Sequence, residues 1–154
     1  MSLEIERKFL VDTLLWRPGA GGIEFRQGYL SSAKERVVRV RIAGDRAFIT
    51  VKGETRNVTR PEFEYPIPVE DAAQLLELCE RPLIEKTRYT ERHGEHDWEI
   101  DVFRGDNDGL VLAEIELTSE TEPFLRPAWL GPEVSRDPRY YNANLIKHPY
   151  KAWR

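Results

Sequence analysis

Glu4, Glu6 and Lys8 fall at alternate positions of Leu3-Glu4-Ile5-Glu6-Arg7-Lys8-Phe9. A strand has a two-residue side-chain period, so two carboxylates and an amine would share one face, and Leu3, Ile5, Phe9 and Val11 the other. Paired carboxylates beside a cation suit a hard divalent metal next to a phosphate-like anion. Taken alone, the segment also fits an ordinary half-exposed strand. The alternation recurs, however. Arg39 and Arg41 lie two apart, Lys52 ends the run from Ala47, Glu62 alternates with Glu64, Lys86 with Arg88, Glu99 with Asp101, and Glu114 with Glu116. Together these are eight carboxylates and six cations on the polar faces of strands.

Two architectures could hold them. In an open sheet the charged faces would meet water, which asks nothing of residue identity. In a closed antiparallel barrel they would point inward, and a charged interior calls for an ionic ligand to offset its desolvation. The barrel is favoured because the opposite faces are consistently apolar, and one helix and a C-terminal segment are available to cover them.

The strands that must position these residues are expected at 3–11, 23–30, 36–43, 46–53, 59–67, 83–93, 96–103 and 110–117. Gly44-Asp45 and Gly94-Glu95 mark hairpin turns. Between Glu70 and Glu80, Ala72, Ala73, Leu75, Leu76 and Cys79 form an apolar stripe at helical spacing, with Glu70 and Asp71 at the favourable N-terminal end. After Leu117, Pro123, Pro127, Pro132 and Pro138 interrupt any long element. Short helical turns are expected around 124–130 and 140–146, with the tail serving as packing or as a plug. The fold class is therefore mainly β (α+β), an eight-stranded antiparallel barrel forming a tunnel with a few flanking helices.

At 154 residues and 18.0 kDa the chain suits one domain, 1–154, with a proper core. A net charge of −4 gives no global basic field for nucleic acid or an acidic membrane, so a polyanion would have to be gripped locally. One cysteine, Cys79, rules out an intramolecular disulfide and fits a reducing compartment. No signal-like segment opens the sequence and no apolar run approaches a membrane span, so the expected location is the cytoplasm. A homodimer is compatible with the sequence but not specified by it.

Other chemistries find no support. His93 and His96 flank a glycine turn without a cysteine or third histidine to complete a zinc site, and are expected as exposed turn residues. Asp106-Asn107-Asp108-Gly109 lacks the later ligands of a calcium loop and reads as a turn. No phosphate-binding glycine loop and no nucleophile elbow is present.

Glu4-Ile5-Glu6-Arg7-Lys8-Phe9-Leu10-Val11 resembles the Glu-x-Glu-x-Lys signature of the CYTH, or triphosphate tunnel metalloenzyme, superfamily, and the later charged pairs follow in that family's order. The tail from Trp129-Leu130-Gly131 through Ser135-Arg136-Asp137 to Tyr140-Tyr141-Asn142 is similar to short bacterial members. The resemblance implies an open-ended tunnel in which a triphosphate lies among basic side chains while acidic residues hold Mg²⁺ or Mn²⁺. It places Lys8, Arg39, Arg41, Lys52, Lys86 and Arg88 on phosphate oxygens, with Lys8, Lys86 and Tyr29 as catalytic groups and Tyr29 reaching the terminal phosphate. It places the main metal on Glu4, Glu6, Glu114 and Glu116, and a second, water-activating metal on Glu99 and Asp101, with Glu62 and Glu64 in support.

The activity so implied is hydrolysis of tripolyphosphate to pyrophosphate and phosphate. Nucleoside or thiamine triphosphate hydrolysis, adenylate cyclisation and non-catalytic polyphosphate binding are the alternatives. Phosphoryl transfer needs positioning and charge stabilisation more than covalent help, which agrees with the absence of a nucleophile motif.

Overall fold

A computed structural model describes residues 2–153. The alternating segments form β1 (Leu3–Val11), β2 (Ile23–Ser31), β3 (Arg36–Ala43), β4 (Arg46–Gly53), β5 (Thr59–Ile67), β6 (Ile84–His93), β7 (His96–Phe103) and β8 (Val111–Glu116). Their order in the sheet is β5-β4-β3-β2-β6-β7-β8-β1, and antiparallel pairing of β1 with β5 closes the ring. Gly44 and Gly94 open the β3–β4 and β6–β7 hairpins with φ of 61° and 62°, a left-handed conformation that costs glycine least.

The closing seam is short. It joins Leu3 to Pro61, Glu4 to Arg60 and Ile5 to Thr59, the first residue of β5, so the rest of β1 has no partner in β5. A ninth strand, β9 (Leu130–Glu133), takes the freed upper edge, pairing Phe9 with Glu133 and Val11 with Leu130. The helical turn expected at 124–130 is therefore absent. Pro123 and Pro127 disfavour helical hydrogen bonding there, and the open backbone groups of β1 offer a better partner.

Three apolar clusters surround and floor the barrel. On the outside of β1, β7 and β8, Trp98 meets Phe9, Phe124 and Trp129 edge to face at centroid distances of 5.5, 5.7 and 5.7 Å. Over β3 and β4, Val40 and Ala47 are covered by Ala72 and Leu76 of α1 (Val69–Glu77), which ends three residues before Glu80, the expected end of the helical segment. Cys79 lies just beyond it, buried as expected.

The third cluster lies within the barrel, where Tyr29, Val37, Ile84, Phe103 and Leu112 share strand faces with the charged residues. Against them pack Tyr140, Leu145 and Ile146 from the tail, which forms two 3-10 turns (Pro138–Tyr140 and Tyr150–Ala152) and, between them, α2 (Asn142–Leu145). The tail thus fills the base of the interior, the plug role the sequence suggested. Gly105–Asn107 forms the expected turn, and Asn107 Oδ1 accepts from the Tyr150 backbone N–H at 2.8 Å, tying the tail down. His93 and His96 are more engaged than exposed turn residues would be, with Nε2 atoms 3.1 Å from Glu91 and 2.6 Å from Glu122. No helix among the described residues is long and apolar enough to cross a membrane.

Gly28 lets the segment after α1 approach β2. A Cβ there would stand 2.7 Å from Cys79 Cβ and 2.7 Å from Leu83 Cδ2, closer than real contacts allow. Gly28→Ala is expected to destabilise the fold by about 1–3 kcal/mol through overpacking. A thermal melt indistinguishable from that of the wild type would contradict this close packing.

Candidate active site

Strand alternation and barrel closure bring the charged residues around one cavity of about 450 Å³. Its lining includes Glu4, Glu6 and Lys8 of β1, Arg39 and Arg41 of β3, Lys52 of β4, Glu62 and Glu64 of β5, Lys86 and Arg88 of β6, Glu99 of β7, and Glu114 and Glu116 of β8. Tyr29 also lines it, almost wholly buried, its hydroxyl accepting from Gln27 Nε2 at 3.3 Å. Asp101 is the one candidate outside the lining.

Asp101 and Lys86 are each 1% exposed. Lys86 Nζ lies 2.7 Å from Asp101 Oδ2, while Arg88 grips the same carboxylate through Nε at 2.8 Å and Nη2 at 2.9 Å. Burial alone would raise the Asp101 pKa, but Arg88 and Lys86 outweigh it and bring it to about 2. Burial, aided by Arg88 and Arg41, lowers the Lys86 ammonium to about 7 against the pull of Asp101. Both oxygens of Asp101, expected as a metal ligand, are engaged by these cations, which it holds in place.

The remaining carboxylates crowd one another. Burial and the charges of Glu114 and Glu4 push the Glu6 pKa well above the ordinary range. Burial opposes ionisation of Glu114 too, but Lys8, Glu6 and Arg88 carry it well below. Burial and the charges of Glu4 and Glu99 raise Glu116, and burial with Glu4 raises Glu62 despite nearby Lys52.

The cations are held by local partners. Glu4 receives Lys52 Nζ on both oxygens at 3.1 Å, and Lys52 also lies 3.2 Å from Glu62. Arg39 Nη2 reaches Thr50 Oγ1 at 3.2 Å and Glu64 at 3.4 Å, but its buried Nε has no partner among the described residues. Lys8 donates to the Tyr140 carbonyl at 3.1 Å. Arg41 Nε donates to Gln27 Oε1 at 2.7 Å, and its own burial with Arg39 and Arg88 nearby lowers it to about 9.

Several members of the site escaped the sequence reading. Asn142 Oδ1 accepts from Lys86 at 3.0 Å and from Gln27 at 3.2 Å, so the tail plug also orients the catalytic candidates. No local signal marks Asn142, because only the tail's return into the barrel brings it there. Arg60, by contrast, shares the strand parity of Glu62 and Glu64, and that spacing could have found it; its Nε donates to Glu4 at 3.3 Å.

Because Asp101 is depressed relative to its unfolded value, its stabilisation is present above about pH 4 and is lost as pH falls through about 2. Asp101→Asn is expected to cost roughly 3 kcal/mol at pH 7 by leaving two buried cations short of a counter-charge. Urea titrations should show the gap to wild type narrowing between about pH 4 and 2. A gap constant over that window would count against this ion-pair role.

The CYTH domain model matches residues 2–150. An inorganic triphosphatase of Acetivibrio thermocellus is 48% identical over 155 residues, covering 100% of this chain and 99% of that protein. An inorganic triphosphatase of Nitrosomonas europaea is 38% identical over 148 residues, covering 92% and 95% of the two chains. A crystal structure of an inorganic triphosphatase superposes with a TM-score of 0.66 at 36% identity, covering 95% of each chain. With a family model spanning nearly its whole length and a relative almost half identical from end to end, the chain belongs to the CYTH domain family.

Proposed function

We propose that this protein hydrolyses inorganic triphosphate to pyrophosphate and phosphate within its charged cavity. The observation that carries the reading is the buried Arg39 Nε, a guanidinium donor without an acceptor among the described residues, in a cavity lined by cations from five strands. A buried donor left unsatisfied costs free energy that an anionic oxygen would recover. The similarity to named inorganic triphosphatases over essentially the full chain supports the same substrate.

The donor set also fits a hard divalent cation. Glu4, Glu6, Glu114 and Glu116 offer only carboxylate oxygens, and the raised affinity of Glu6 and Glu116 for protons reflects burial together with neighbouring carboxylates whose charge such an ion would neutralise. Mg²⁺ or Mn²⁺ held there would supply charge neutralisation and a more acidic attacking water. Glu99, which lines the cavity, is available as a further ligand.

Lys8, Arg39, Arg41, Lys52, Lys86 and Arg88 bind and align the phosphate oxygens, the arginines through their forked donors and the lysines as point charges. Asp101 and Asn142 position Lys86, and Asp101 also positions Arg88. Tyr29 directs its hydroxyl from the floor of the cavity. The lining is dominated by charged and small polar side chains, which suits a bare triphosphate better than one carrying a nucleobase or thiamine.

Incubation with tripolyphosphate, pyrophosphate, ATP and thiamine triphosphate should give fastest phosphate release from tripolyphosphate, dependent on Mg²⁺ or Mn²⁺ and abolished by a chelator. Binding without release from any of the four would establish a sensor instead. Arg39→Ala should lower kcat/KM for tripolyphosphate about 10- to 100-fold, the loss expected for one charged hydrogen bond. An unchanged kcat/KM would remove Arg39 from the substrate site.

A further inference from the structure

Two cations line the cavity without a part in the scheme above, Lys34 and Arg60. The Lys34 side chain is 78% exposed, and its nearest acid is Glu54 at 3.7 Å. Arg60 is different in kind. Its side chain is only 27% exposed, its Nε donates to Glu4 Oε1 at 3.3 Å, and its backbone stands opposite Glu4 in the seam that closes the barrel. Lys52 occupies both oxygens of the same carboxylate at 3.1 Å.

Glu4 is therefore engaged by two cations at once. Among the described residues, no three acidic, histidine or cysteine side chains already converge into a metal-holding group. The carboxylates needed for a divalent ion line the cavity, but the first of them is turned toward arginine and lysine. A divalent cation at Glu4 would face strong repulsion from both.

We propose that Arg60, with Lys52, latches Glu4 and exchanges partners on loading: Glu4 gives up both cations to ligate the metal, and the freed Arg60 takes a triphosphate oxygen. This inference rests on the metal-site reading above and adds Arg60 to the residues that bind substrate. The exchange makes each ligand favour the other, since the metal releases the cations that the anion needs and the anion stabilises those cations away from Glu4. Thermodynamic linkage requires the enhancement to be equal in both directions.

The test follows Mn²⁺ binding directly, with free ion counted by electron paramagnetic resonance, in the presence and absence of an imido-linked, non-hydrolysable triphosphate analogue and with correction for ion held by free analogue. Wild type should bind Mn²⁺ at least about tenfold more tightly with the analogue than without it. Arg60→Ala should bind Mn²⁺ alone roughly three- to tenfold more tightly than wild type, yet the enhancement by the analogue should fall below about threefold. Arg60→Gln, which keeps most of the side-chain stem, is measured in the same way, so that a folding defect in the alanine variant does not decide the result.

Lys34→Ala should resemble wild type in both respects. Unchanged or weaker Mn²⁺ binding in the Arg60 variants, or an enhancement equal to wild type, would overturn the latch. An equal gain in Lys34→Ala would overturn it too, by showing a general effect of lost positive charge. If wild type binds no Mn²⁺ with or without analogue, the metal-site reading fails and the latch with it. If wild type shows the enhancement and the Arg60 variants match it, the latch alone fails.

Discussion

Charge enclosed by a barrel wall must find its counter-charge inside, and most features of this protein follow from that constraint. Transfer of a carboxylate or guanidinium from water into a protein interior costs several kcal/mol unless paired partners recover it. Here the pairs form across neighbouring strands, Lys52 with Glu62 and Arg88 with Asp101 and Glu99, or across one intervening strand, Lys52 with Glu4 and Arg39 with Glu64. Pairing is uneven, though. Burial and neighbouring carboxylates favour protonation of Glu6, burial draws Lys86 toward neutrality, and Arg39 Nε has no acceptor among the described residues. Each residual imbalance is of the kind that a polyanion with a divalent cation would relieve.

The outer architecture can be understood as what keeps this interior closed. Strands charged on one face and apolar on the other need external cover, supplied by α1 over β3 and β4 and by the aromatic cluster of Phe9, Trp98, Phe124 and Trp129 on the opposite side. The short β1–β5 seam leaves an edge that β9 completes, so no long run of β1 is left unpaired. Within the barrel, the tail divides an apolar floor from the charged cavity and contributes Asn142 at the boundary. Stability and site geometry are therefore not separable at the tail, because the residues that plug the base also orient Lys86.

Asp101 and Glu4 show how the same residue type takes different parts by position. Asp101, fully enclosed between Lys86 and Arg88, has no free oxygen to offer and acts as a brace. Glu4 borders the cavity, and so do its partners Lys52 and Arg60. The difference lies in what surrounds the carboxylate, since desolvation and neighbouring charge decide whether an acid is locked or exchangeable.

The period-two alternation of charged and apolar residues was enough to identify eight strands, and Gly44 and Gly94 located two hairpins, because these are local consequences of strand geometry and turn conformation. The apolar stripe from Ala72 to Leu76 likewise marked α1. Membership of the charged face was also legible, since parity along a strand fixes which side a residue takes. Pairing across strands was not, because register and closure join residues far apart in the chain. That is why the bracing of Asp101, the contact of Arg60 with Glu4, the strand at Leu130–Glu133 and the return of Asn142 into the barrel emerged only with the tertiary structure. The sequence determined which charges would be enclosed together, and the closed barrel decided which of them hold one another and which stay free to take a ligand.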